Sequence, residues 1–203
     1  MGASLSSKTS GCVVTIEAQP EPIAIDTAKT AVIVVDMQND FVSPHGSLHV
    51  KGAEKIVEPI ARMIMEFEGD VVFTQDWHPA RHRSFAAQWP GRKAFDVVAL
   101  HGKDQVLWPA HCVQGGWGAC IAPGLSTDRA AMILRKGMNP EVDSYSAFRE
   151  NWDAGGRRTG TGLAGALRGV PPSRTGKPSG QGSASVMASC YGARGARTHG
   201  SWP

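Results

Sequence analysis

Three short apolar runs organise the chain: AVIVVD (31–36), DVVFTQD (70–76) and AAMILRK (130–136). The first two are continuous rather than alternating, the pattern of strands buried on both faces of a parallel sheet, and the third predicts a further strand. Between the first two, AEKIVEPIARMIMEF (53–67) sets Ile56, Ile60, Met63, Ile64 and Phe67 at helical spacing. That stripe predicts an amphipathic helix, with Pro59 inside it kinking it or delaying its start. TGTGLAGALRG (159–169) begins a further helix. Residues 77–128 hold few periodic elements and many Trp, His, Pro and Gly, so a long functional loop region is expected there. The fold class that follows is α/β: a doubly wound, Rossmann-like central parallel sheet flanked by helices.

In such a sheet, ligands bind outside the carboxyl ends of the strands. Asp36, Asp76 and Lys136 end the three apolar runs, so all three fall there. A partly desolvated Asp36 can act as a general base, or be only a helix cap or turn former. Lys136 on a neighbouring strand would hold that carboxylate ionised, or be a surface lysine. Asp76 and His78 lie two apart where the chain leaves a strand, His82 follows four later, and His111 sits in the next loop. One Asp with two or three His suits zinc or another divalent transition ion with positions left for water or substrate. The competing reading is a set of exposed loop histidines.

Charge divides the chain. Met1–Asp153 carries 14 Lys/Arg against 18 Asp/Glu, a net of −4, whereas Ala154–Pro203 carries 7 Lys/Arg and no acid, a net of +7. The arginines of this basic end are scattered among Gly, Ser and Pro without interleaved aromatics, which argues against a nucleic-acid partner. No apolar run is long enough for a transmembrane segment. No secretory signal is apparent, so the four cysteines read as reduced thiols and the location as cytoplasmic. The start, MGASLSSK, fits the N-myristoylation pattern at Gly2, a signal that alone gives only weak membrane contact; a leader of small polar residues is the simpler reading. Assembly into a homo-oligomer is left open.

The segments VVDMQNDF, TQDWHP with His82, WPAHCVQGGWGA and KGMNPEVDSYSAF together resemble the nicotinamidases of the isochorismatase-like cysteine hydrolase superfamily, over about residues 30–169. The resemblance implies hydrolysis of nicotinamide to nicotinate and ammonia in NAD salvage. It implies Asp36 as general base and Lys136 as catalytic lysine, with Asp76, His78 and His111 as metal ligands and His82 a further ligand in some members. It also implies Phe41 and Trp108 as aromatics against the pyridine ring, and a divalent metal, zinc first, with manganese or iron as alternatives. The family's cysteine nucleophile should fall at about positions 176–181, which read GKPSGQ. Cys190, in VMASCYGARG, lies beyond that point, and Cys112 and Cys120 read as small buried residues.

The expected organisation is therefore a disordered leader (1–28), an incomplete hydrolase domain (29–169) and a non-homologous tail (170–203) without strands. From Val170 onward, 34 residues hold 6 Gly, 6 Ser, 4 Pro and 4 Ala, the bias of a reading frame translated out of register. The expected C-terminal strands and the nucleophile would then be missing and the polypeptide inactive. Two further functional readings remain: a non-catalytic metal- or pyridine-binding relative, and an amidase of the superfamily with another substrate.

Overall fold

The computed structural model describes residues 12–169 and 184–189. Its centre is a four-stranded sheet with strand order β7-β4-β3-β8. The strands are β3 (Thr30–Val35), β4 (Asp70–Asp76), β7 (Ala130–Lys136) and β8 (Ala184–Ser189). Every pairing in the sheet is parallel: β3 with β4, β3 with β8, and β4 with β7. The three apolar runs are thus the adjacent strands β3, β4 and β7, and their carboxyl ends share one edge.

Successive residues of β3 point to opposite faces, which builds two cores. Val32 and Val34 join Val71, Phe73, Ile60 and Ile64 on one side. Ile33 and Val35 join Val72, Ala147 and Leu163 on the other. Helix α2 (Val57–Glu66) covers the first face through its buried Ile60 and Ile64. The preceding turn, Ala53–Ile56, is 3-10, so Pro59 falls in the first turn of α2 and delays its start, where its missing N–H costs nothing. At the other end of α2, Arg129 Nη1 donates to the carbonyls of Ile64 and Met65, both 2.9 Å away. Helix α3 (Leu163–Gly169) covers the second face with Leu163.

Three segments differ from the sequence expectation. Within the stretch expected as a leader, β1 (Val13–Ile16) and β2 (Ile23–Asp26) form an antiparallel hairpin. VVTI and IAID are β-branched stretches flanking a Pro-containing turn, strong enough locally to pair despite high exposure. Within the expected loop region, β5 (Val97–Leu100) and β6 (Lys103–Val106) form a second hairpin. Its turn residues His101 and Gly102 both have positive φ, 51° and 73°, as a two-residue hairpin turn with the sheet's twist demands. In the segment expected to lack strands, β8 pairs with the free edge of β3 from Thr30↔Ala184 to Val35↔Ser189, satisfying backbone groups that an uncovered central strand would leave unpaired. The remaining tail, Cys190 included, and the Gly2 pattern lie outside the described residues. No described helix is long and apolar enough to cross a membrane.

Just after β3 the chain makes a single buried turn, α1 (Asn39–Val42). There Asp40 Oδ1 accepts the Ser47 N–H (3.0 Å) and Oδ2 the Cys112 N–H (2.7 Å), tying the 111–112 loop to the β3 end. Gly118 packs so close that a Cβ there would sit 1.9 Å from the Asp40 carboxylate. Asp40→Ala orphans both N–H donors, one of them buried, and should cost about 1–3 kcal/mol for each buried group left unsatisfied. Urea unfolding checks this: the midpoint should fall, and an unchanged midpoint would show that Asp40 is not a tie.

Candidate active site and metal centre

Asp36 follows β3 directly and takes a left-handed conformation, φ 52°, uncommon for a non-glycine residue. Its backbone N–H donates to the carbonyl of Thr74 (3.2 Å), and the Thr74 hydroxyl donates to Asp36 Oδ1 (2.6 Å). Lys136 Nζ lies 3.0 Å from Asp36 Oδ2 and also donates to Asp76 Oδ1 and to the carbonyl of Ser144 (2.9 Å). Asp36 is fully buried, and Asp76 and Lys136 nearly so. One ammonium therefore holds two carboxylates at the ends of three strands.

The charges respond as a set. Burial pushes the Asp36 carboxyl up; the pull of Lys136 opposes this without reversing it, and Asp76 adds to the rise. Burial also acts on Asp76, but Lys136 and then His78 and His111 hold it well below the usual carboxylate range. For Lys136, burial disfavours the charge, yet the two carboxylates outweigh it and raise its value. The arrangement is an ionised Asp76, a charged lysine and a carboxyl at Asp36 that takes up a proton more readily than an ordinary aspartate.

Beside this group stand the histidines. Gln38, fully buried, fixes the Asp76 backbone: its Oε1 accepts the Asp76 N–H (2.7 Å) and its Nε2 donates to the Asp76 carbonyl (2.8 Å). The His78 N–H then donates to the carbonyl of Cys112 (3.0 Å), and the Gln114 N–H to that of His78 (2.9 Å), joining the two loops. His78 Nδ1 lies 2.9 Å from the carbonyl of Gly137, and His111 Nδ1 2.8 Å from that of Pro109. A carbonyl can only accept, so both rings carry a proton on Nδ1, and the neutral form of each leaves its lone pair on Nε2. These Nε2 atoms lie 3.7 Å and 4.0 Å from Asp76 Oδ2. Asp76, His78 and His111 thus converge with donor atoms within 4.8 Å of one another, all buried, a set that fits a divalent transition ion. Gly137 (φ +65°) allows the close approach, since a Cβ there would lie 2.4 Å from the His78 ring.

Asp36, Lys136, Asp76, His78, His111, His82 and Phe41 lie in or beside this group, and the expected nucleophile position, 176–181, lies outside the described residues. His82 is buried, its ring centroid 4.5 Å from that of His78, with Nδ1 2.7 Å from the Ser84 hydroxyl. Phe41 is fully buried and tilts against His111, centroids 5.6 Å apart. Trp108 meets Phe95 and Tyr145 edge to face, at 6.0 and 6.2 Å. The exposed-histidine reading fails, since His78, His82 and His111 are 1%, 0% and 4% exposed.

Of the cysteines, Cys112 is buried as expected, but Cys120 is exposed because it follows the 3-10 turn Trp117–Ala119, of which only Ala119 turns inward. The Cys112 thiol donates to the Gly118 carbonyl (3.8 Å), and burial, reinforced by Asp76, Asp40 and Asp36, pushes its ionisation far up, the opposite of an activated nucleophile.

The sequence reading missed Gln38, Phe85 and Asp143. Phe85 packs against the three imidazoles, 5.4–5.6 Å from each ring. Asp143 accepts Gln105 Nε2 (2.9 Å) and the Ser144 N–H (2.8 Å). Both Gln38 and Asp143 lie inside motifs that were visible, DMQNDF and EVDSYSAF, but nothing in periodicity singles them out.

Burial first, then His78, lowers the His82 value to about 4. A base whose folded pKa is depressed binds protons more readily unfolded, so it contributes stability that is lost as pH falls from about 6.5 towards 4. In chelator, the melting temperature of the wild type should fall more steeply between pH 7 and 5 than that of His82→Gln. Parallel curves would show that His82 does not stay neutral in the fold.

Comparison with known proteins finds amide hydrolases, nicotinamidases and ureidoacrylate amidohydrolases among them. Residues 30–168 match the isochorismatase domain. The nicotinamidase of Acinetobacter baylyi is 47% identical over 138 residues, covering 68% of this chain and 62% of that protein. The Acinetobacter baumanii nicotinamidase/pyrazinamidase structure is 46% identical with a TM-score of 0.63, covering 69% of this chain and 65% of that one. The yeast nicotinamidase bound to the inhibitor nicotinaldehyde is 31% identical with a TM-score of 0.60, covering 68% of each chain. The chain thus spans less than two thirds of the Acinetobacter baylyi relative.

Proposed function

The chain belongs to the isochorismatase domain family, and from that premise we propose that its site is built for nicotinamidase-type hydrolysis, nicotinamide to nicotinate and ammonia. The observation that carries this reading is the juxtaposition of the Asp36–Lys136 ion pair with the Asp76/His78/His111 donor set at one sheet edge. The A. baylyi relative is a nicotinamidase, and the yeast one was solved with nicotinaldehyde, a flat pyridine carrying a carbonyl.

In this proposal Asp36 is the general base. Its raised proton affinity suits it to take a proton from the attacking group and return it to departing ammonia. Lys136 stays charged throughout and keeps the two carboxylates from repelling one another as the proton moves. Asp76, His78 and His111 would hold a divalent ion, zinc or a manganese- or iron-type metal. Such an ion would supply a Lewis acid able to polarise and orient an electron-rich atom of the substrate. Phe41 and Trp108 are the aromatics proposed to pack against a flat ring.

Covalent hydrolysis of this kind also needs a thiolate. Cys12 and Cys120 are exposed and Cys112 is held as a buried thiol, so none of the cysteines among the described residues suits that role. This observation favours a second reading, a metal- and pyridine-binding relative without turnover.

Ammonia release from nicotinamide, together with nicotinate binding, both in added metal, separates the readings. For the enzyme, the wild type releases ammonia and Asp36→Asn loses on the order of 100-fold or more of that rate. Binding of nicotinate without any release selects the second reading. Absence of both overturns the two together.

A further inference from the structure

Around Trp108 the structure holds a layer that the acid–base and metal chemistry does not use. Trp108 stands between Phe95 and Tyr145, both edge to face with it, at 6.0 and 6.2 Å. Phe95 and Tyr145 are 63% and 51% exposed, yet both are anchored. Phe95 takes a left-handed backbone, φ 72°, costly for a bulky residue, and its N–H donates to the Leu107 carbonyl (2.6 Å). The Tyr145 hydroxyl accepts from Nε2 of Gln105 (2.9 Å), a buried side chain of β6. Resting on the reading of Trp108 as a wall for a flat ring, we propose that Gln105 is the positioning residue of that wall. Through the Tyr145 hydroxyl it sets the Trp108–Tyr145 pair, and with it the affinity for a flat heteroaromatic carboxamide or carboxylate.

Hydrogen bonds place both members of the pair beside the site. The Trp108 N–H donates to the Ser84 carbonyl (2.7 Å) and the Ala86 N–H to that of Trp108 (2.9 Å), bracketing Phe85, which packs against the three imidazoles. Tyr145 follows Ser144, whose carbonyl accepts from Lys136 Nζ (2.9 Å). One wall residue is thus tied to the metal-donor side and the other to the Asp36–Lys136 side. Gln105 secures the second tie. Its Nε2 meets the Val106 carbonyl (2.8 Å), Asp143 Oδ2 (2.9 Å) and the Tyr145 hydroxyl (2.9 Å), so it clamps the residues on either side of Ser144. An amide nitrogen has two hydrogens, so these acceptors leave it none to spare. His101, in the turn of the same hairpin, meets the Glu141 carbonyl (2.9 Å) and holds the hairpin against the 137–148 loop. A tyrosine gripped at its hydroxyl while half its surface stays open presents a ring to a ligand rather than to the core.

The test is nicotinate binding to the full chain by calorimetry in added zinc, with zinc affinity measured beside it by chelator competition. Tyr145→Phe keeps the ring and removes only the gripped oxygen, Gln105→Leu removes the grip, and a third variant carries both changes. We expect each single change to weaken nicotinate binding by about 3-fold to 10-fold, the scale of one neutral hydrogen bond, with zinc affinity unmoved. The double variant should bind no more weakly than the weaker single one, because both changes break the same link. A general loss of structure would move zinc affinity and the urea midpoint as well. Tyr145→Phe, altered at a half-exposed side chain, carries the test if Gln105→Leu does not fold. Equal nicotinate affinity in Tyr145→Phe and wild type would overturn the inference, as would losses that add in the double variant or a matching fall in zinc affinity. If the wild type binds no nicotinate, the ring-binding reading falls and this inference with it; if it binds and Tyr145→Phe equals it, this inference alone fails.

Discussion

The structure turns on the placement of one ammonium between two buried carboxylates. Lys136 reaches Asp36 and Asp76 from the end of a third strand, with water excluded from all three groups. Isolated ionised groups at such depth would cost several kcal/mol each. The network is therefore viable only as a unit, and the unit requires β3, β4 and β7 to be adjacent, parallel and in register at their carboxyl ends. The register supplies this, with Val35 opposite Thr74 and Asp76 opposite Lys136. Fold and site are thus one constraint read at two scales.

Around that unit the loops are fixed by backbone hydrogen bonds rather than by apolar packing alone. Gln38 grips the Asp76 peptide, Asp40 the Cys112 N–H, and the Gly137 and Pro109 carbonyls set the tautomers of His78 and His111. Each tie prepays part of the entropy of assembling a donor set from segments far apart in sequence. Strain is tolerated at the same places: Asp36 and Cys112 both have positive φ, 52° and 45°.

What could be read in the sequence follows from what sequence patterns encode. Continuous apolar runs mark strands, so β3 and β4, buried on both faces, and β7, exposed at every second position, were legible almost to the residue, as was α2 from Ile60 and Ile64. Ligand-type residues at strand ends marked Asp36, Asp76, His78 and Lys136 for the same reason. The β1–β2 and β5–β6 hairpins escaped because four-residue strands carry too little pattern, and a His-Gly turn is a weaker signal than Asn-Gly. Asp143 escaped because its place depends on Gln105, 38 residues away in the chain. Long-range partnership of that kind leaves no local trace. The strand β8 likewise owes its position to the open edge of β3, not to its own composition.

The account rests on Lys136 carrying the charge that lets both carboxylates be buried, and Lys136→Met tests it most directly. Without the ammonium, the two carboxyls would have folded-state values raised above their unfolded ones, so their contribution would be present in acid and lost as pH rises. Urea unfolding in chelator should find the variant about 3–5 kcal/mol less stable than wild type at pH 7, with the gap narrowing steadily towards pH 5. A Lys136→Met chain as stable as wild type at pH 7, or a gap that does not depend on pH, would contradict the account.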